Sequence, residues 1–70
     1  MKQIRLRKSG QDYMVTNFDA DSFGGELLIY KSYDESGKWK SGWTGPALFA
    51  TKRDVVAYLN GDAELQEMLT

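Results

Sequence analysis

The chain contains no cysteine and no histidine. Without cysteine there are no disulfides and no thiolate metal ligands. Without histidine, the default general base and the base partner of a serine or cysteine nucleophile are both missing. Proline occurs once, at Pro46, and no apolar run approaches the length that spans a membrane. The basic N-terminus is not followed by the apolar core of a signal peptide. These absences point to a cytoplasmic protein, and Met1 reads as the start of a complete small gene product. Seventy residues make one domain, 1–70, with room for one small core. A chain so short and without staples depends on good packing, a partner or self-association.

What is present is apolar enough to fold: 41% hydrophobic and 27% charged residues exclude a disordered chain. A net charge of −1 argues against a general nucleic-acid footprint, but the charges are unevenly distributed. Residues 1–53 hold nine Lys/Arg against six Asp/Glu, a net of +3, whereas residues 54–70 carry Asp54, Asp62, Glu64 and Glu67 and no cation, a net of −4. A basic sheet followed by an acidic helical tail is expected.

The pattern from Lys2 to Lys8 alternates, with Ile4 and Leu6 on one face and Gln3, Arg5 and Arg7 on the other. Ser9-Gly10-Gln11-Asp12 supplies a turn into a second strand over residues 13–18, where Tyr13 and Val15 compete with Met14 and Phe18 for the interior. Residues 26–33 form the strongest strand, and the run Leu27-Leu28-Ile29-Tyr30 suggests burial on both faces. After an acidic turn, residues 38–43 alternate Lys38 and Lys40 with Trp39 and Trp43, loosening towards Pro46. Thr51 and Asp54 are suited to start a helix whose apolar face is Val55, Tyr58 and Leu59, and Gly61 is suited to a left-handed stop. A short second helix from Asp62 carries Leu65, Met68 and Leu69 on one side. The expected fold class is α+β: an antiparallel sheet of about four strands with one or two C-terminal helices packed on one face. The expected core is Ile4, Leu6, Val15, Leu27, Ile29, Val55, Leu59 and Met68.

No catalytic signature accompanies this pattern. The close carboxylate pairs, Asp19/Asp21 and Asp34/Glu35, lie in turn-like sequence where nothing separates two pKa values. Asp19, Asp21 and Gly24 imitate the start of a calcium loop, but Phe23 and Tyr30 stand where oxygen ligands are required. Gly37-Lys38 lacks the leading glycine of a phosphate loop. A non-enzymatic protein with no cofactor and no bound metal is expected. Binding of single strands is the sharper possibility, since it needs only basic side chains along the phosphates and aromatic faces for the bases. Arg5, Arg7, Lys31, Lys38 and Lys40 supply the charge in that reading, and Tyr33 and Trp43 the stacking surfaces. The blander reading makes the tryptophans core and the lysines a solvated edge that discourages aggregation.

The stretch Tyr30 to Leu48, YKSYDESGKWKSGWTGPAL, resembles the central hairpin of the positive cofactor four family of transcriptional coactivators. Lys31 and Tyr33, then Gly37, Lys40, Gly42, Gly45 and Leu48, stand at the family's spacing, whereas Trp43 and Thr44 occupy positions that are basic in the family and Ser41 replaces a proline. The resemblance implies a dimer whose curved sheets bind single-stranded DNA through basic and aromatic residues. The expected partner is therefore single-stranded nucleic acid, with a homodimer as the assembly. The alternative is a protein-interaction module, such as a phage or mobile-element inhibitor or adaptor of a host protein.

Overall fold

The computed structural model describes residues 2–19, 21, 24–32 and 36–70. Among the described residues, four strands, β1 (Leu6–Ser9), β2 (Asp12–Val15), β3 (Leu28–Lys31) and β4 (Trp39–Ser41), precede two C-terminal helices, α1 (Lys52–Asn60) and α2 (Ala63–Met68). The strands form an antiparallel meander in the order β1-β2-β3-β4, so the fold is the expected α+β arrangement.

Local chemistry explains each element. Gly10, at φ 64°, takes the first central position of the β1–β2 hairpin, where a side chain would be strained. The Thr51 side chain caps α1, accepting a hydrogen bond from the Asp54 amide at 3.2 Å. Asp62 caps α2 in the same way through the Leu65 amide at 3.0 Å. Gly61 does end α1, but at φ −93° rather than in the left-handed region. Its amide donates to both the Ala57 and Tyr58 carbonyls, and the next residue already caps α2, so the link has no room for a left-handed excursion.

Val15, Leu27, Ile29, Val55, Leu59, Leu65 and Leu69, with Ile4 and Phe18, form one hydrophobic core between the sheet and the helices. Leu6 and Met68 pack against its margin instead of joining it. Phe18 and Leu69 enter because they pair with each other across an isolated antiparallel bridge, closing the C-terminus onto the segment after β2. Tyr58, placed by helical spacing on the apolar face, is 53% exposed and packs its ring against Phe49 at 5.5 Å.

The N-terminal strand is shorter than its alternation suggests, and the reason is a set of side-chain amides. Residues 2–4 and the Arg5 amide are bonded to side chains rather than to a neighbouring strand. The Lys2 amide donates to Gln66 Oε1 (2.8 Å), and Gln66 Nε2 donates back to the Lys2 carbonyl (2.7 Å). The Ile4 amide donates to Asn60 Oδ1 (2.8 Å). On the other side, the Arg5 amide donates to Asn17 Oδ1 and Asn17 Nδ2 donates to the Gln3 carbonyl, both at 2.9 Å. Asn17 is buried, so its truncation strands one backbone donor and one acceptor with limited access to water. Asn17→Ala is expected to cost about 1–3 kcal/mol of folding stability, measured by urea unfolding.

Candidate nucleic-acid interface

Side chains of paired residues lie on the same face of a sheet, so the register sorts every strand residue. Leu6 pairs with Val15, Lys8 with Tyr13, Tyr13 with Ile29, Ile29 with Ser41 and Lys31 with Trp39. This set includes the fully buried Ile29 and Ser41 and faces the helices. Arg7 pairs with Met14, Met14 with Leu28, and Tyr30 with Lys40. This second set faces away from them, and among the described residues no helix covers it.

The helix-free face carries a half-buried strip of Met14, Leu28 and Tyr30. Lys40 lies with its ammonium 5.9 Å from the centre of the Tyr30 ring, a cross-strand cation–π pair. Arg7 is exposed beside Met14, and the same alternation puts Arg5 and Lys38 on this side at opposite corners. Asp12 and Glu26 are the carboxylates that the alternation adds. Among the described residues, no ion pair neutralises Arg5, Arg7, Lys38 or Lys40.

The other sequence-predicted site residues lie elsewhere. Lys31 is on the helix side, 5.6 Å from the centre of the Trp39 ring. There it belongs to a second cluster: Trp39 meets Tyr13 at 6.2 Å, and the Lys52 ammonium sits 3.9 Å over Tyr13. Tyr33 lies outside the described residues, as do Asp34 and Glu35. Trp43 follows β4 rather than belonging to it, half-buried against the core. Its ring meets Phe18 edge-on at 6.2 Å and its indole N–H donates to Asp62 Oδ2 at 3.0 Å. Tyr30 and Leu28 were missed because the run from Leu27 to Tyr30 reads as buried on both faces, and Met14 because its alternation with Tyr13 and Val15 leaves either parity open. The available signal was parity: Leu27 and Ile29 share the face of Val15, which leaves Leu28 and Tyr30 opposite.

At the other pole, Ala57, Tyr58, Gly61, Asp62, Ala63 and Glu64 line an open depression of about 560 Å³. The two carboxylates in its wall offer nothing to an anion. Among the described residues, no cluster of three or more His, Cys, Asp or Glu is arranged to hold a metal, and no helix is long and apolar enough to cross a membrane. Comparison with protein-family models, with curated proteins and with solved structures found no match.

The Asp62 carboxylate takes hydrogen bonds from the Leu65 amide first and the Trp43 indole second, and these hold its pKa below the ordinary 3.8 despite opposing desolvation. A carboxyl depressed by folding stabilises the native state above its unfolded pKa, and that stabilisation is lost as pH falls through the folded value. Asp62→Asn retains a capping oxygen but cannot serve both donors as an anion does. The variant is expected to be less stable than the wild type at about pH 7, with the gap narrowing as pH falls below the ordinary carboxylate range, in urea melts followed by tryptophan emission.

Proposed function

We propose that this protein is a non-enzymatic binding module that holds single-stranded nucleic acid, DNA in the first instance, across the helix-free face of its sheet. The observation that carries the reading is that one face, uncovered among the described residues, holds an aromatic ring, Tyr30, and four cations with no carboxylate partner among those residues, Arg5, Arg7, Lys38 and Lys40. Phosphates are met by the cations, and a base stacks on Tyr30 as the Lys40 ammonium swings from the ring towards the backbone. Met14 and Leu28 extend the apolar floor under the neighbouring sugar or base. The carboxylates of α2 and of its cap, Asp62, Glu64 and Glu67, lie behind the sheet, away from this face. The resemblance of residues 30–48 to a single-strand-binding family points the same way. Lys31 and Trp43 have no part in this version: one serves the opposite face and the other the link to α2.

The paired aliphatic side chains Met14 and Leu28 also favour a second reading, a protein partner seated on the same face. Methionine, tyrosine and arginine around an apolar centre are common interface components. Salt separates the two. Anisotropy of a fluorescein-labelled oligodeoxynucleotide is expected to report binding that weakens as salt rises. Lys40→Ala is expected to reduce the slope of log K against log salt by about 0.7, the share of one phosphate contact. Tyr30→Ala is expected to cost about 1–3 kcal/mol through lost stacking. No binding at low salt, where attraction is least screened, would rule out the nucleic-acid reading and leave the protein partner.

A further inference from the structure

The two edges of the sheet are finished differently. On β4 the outward-facing residues are Trp39 and Ser41, and both are fully satisfied. Trp39 exchanges two backbone hydrogen bonds with Phe49, at 2.7 and 2.8 Å. The Ser41 amide donates to Thr44 Oγ1, whose hydroxyl donates back to the Ser41 carbonyl. On the β1 side, the hairpin turn and the bond from the Thr16 amide to the Arg5 carbonyl turn residues 5, 7 and 9 inward. Residues 2, 4, 6 and 8 therefore face outward. Lys2 is satisfied by the Gln66 side chain and the Ile4 amide by Asn60. Leu6 and Lys8 have no such surrogate: among the described residues nothing bonds their outward N–H and C=O groups.

We infer that this open half of the β1 edge is a docking site for an extended acidic peptide segment of a partner protein, added as a fifth strand. A second copy of the chain is disfavoured by charge. The antiparallel registers that match the free donors set Arg7 against Arg7, Lys8 against Lys8, or Arg5 against Arg7, and like charges directly opposite repel. The same cations attract carboxylates, and they do so on both sides of the sheet. Arg5 and Arg7 project from the helix-free face, whereas Lys8 projects from the helix side, where Lys52 lies over the neighbouring Tyr13. Two successive carboxylates of an added strand, which alternation sends to opposite faces, each find a cation. Leu6, half-buried at the core margin, calls for an apolar residue opposite it. Backbone pairing gives affinity and the alternate side chains give selectivity, as in other strand-addition complexes. The inference rests on the edge alone. Lys8 lies on the other side of the sheet from Tyr30, so its substitution tests the edge without touching the proposed nucleic-acid face.

The probe is a fluorescein-labelled peptide, Gly-Glu-Glu-Val-Glu-Gly, titrated at low salt with the full chain, together with amide hydrogen exchange by NMR. Lys8→Gln removes the charge alone. Lys8→Pro removes the charge and the outward N–H, which the inward ladder does not use. Lys8→Gln is expected to weaken the peptide several-fold, and Lys8→Pro to weaken it about tenfold further, the loss of one hydrogen bond. In the free protein the Leu6 and Lys8 amides are expected to exchange fast while Arg7 and Ser9 are protected, and saturating peptide is expected to slow the first pair. Persistent protection of Arg7 and Ser9 in Lys8→Pro reports that the hairpin is intact. Should that variant not fold, Lys8→Gln and the wild-type exchange pattern still decide. Absence of binding overturns the inference, as does unchanged exchange at Leu6 and Lys8 on saturation. Equal affinity of two folded Lys8 variants does the same.

Discussion

Three side-chain amides bind the N-terminal segment into the structure, and the two sheet faces depend on them. Gln66 acts towards Lys2 as a neighbouring strand would, accepting from its amide and donating to its carbonyl, while Asn60 accepts from Ile4 two residues further on. Asn17 holds Arg5 and Gln3 from the other side. The segment is thereby pinned in an extended conformation between the helices and the sheet, with Ile4 turned into the core and Arg5 away from it. A slip of one residue would exchange Ile4 and Leu6 for Arg5 and Arg7 at the core margin, which the cost of burying a charge forbids. Which side Arg5 faces therefore follows from where these amides hold the chain.

The same clamp decides what remains available. An amide side chain can imitate only a residue or two of a strand, so the imitation ends at Ile4 and the edge stays open at Leu6 and Lys8. The opposite edge shows the complete version, closed by the Phe49 backbone and the Thr44 hydroxyl. Charge is divided less sharply. The carboxylates of α2 lie behind the core together with Lys52 and Arg53 of α1, and Arg5 and Arg7 lie on the side away from it.

Element order, strand and helix types and most of the core were legible in the sequence, because apolar periodicity and capping residues speak locally. Val15, Ile29, Val55 and Leu59 follow from alternation or helical spacing, and Thr51 and Asp54 mark the start of α1 without any tertiary information. What was not legible depends on partners far apart in the chain. Nothing local says that Asn17, Asn60 and Gln66 bond to residues 2–5, or that Trp43 reaches Asp62. The candidate surface suffered most. Lys31 and Lys40 both follow from composition as basic residues of one hairpin, yet their parities differ, and the register puts them on opposite faces. Tyr30 was overlooked for the complementary reason: a continuous apolar run hides which of its members face out.

The most direct test of the account is a map of backbone amide chemical shifts on titration with oligothymidylate of about ten nucleotides, within the usual site size for such surfaces. The largest changes are expected at Arg5, Arg7, Met14, Leu28, Tyr30 and Lys40, with α1 and α2 little affected. Changes concentrated on Tyr13, Lys31, Trp39 and Lys52 would move binding to the helix side and contradict it, and an unchanged spectrum at low salt would contradict nucleic-acid binding altogether.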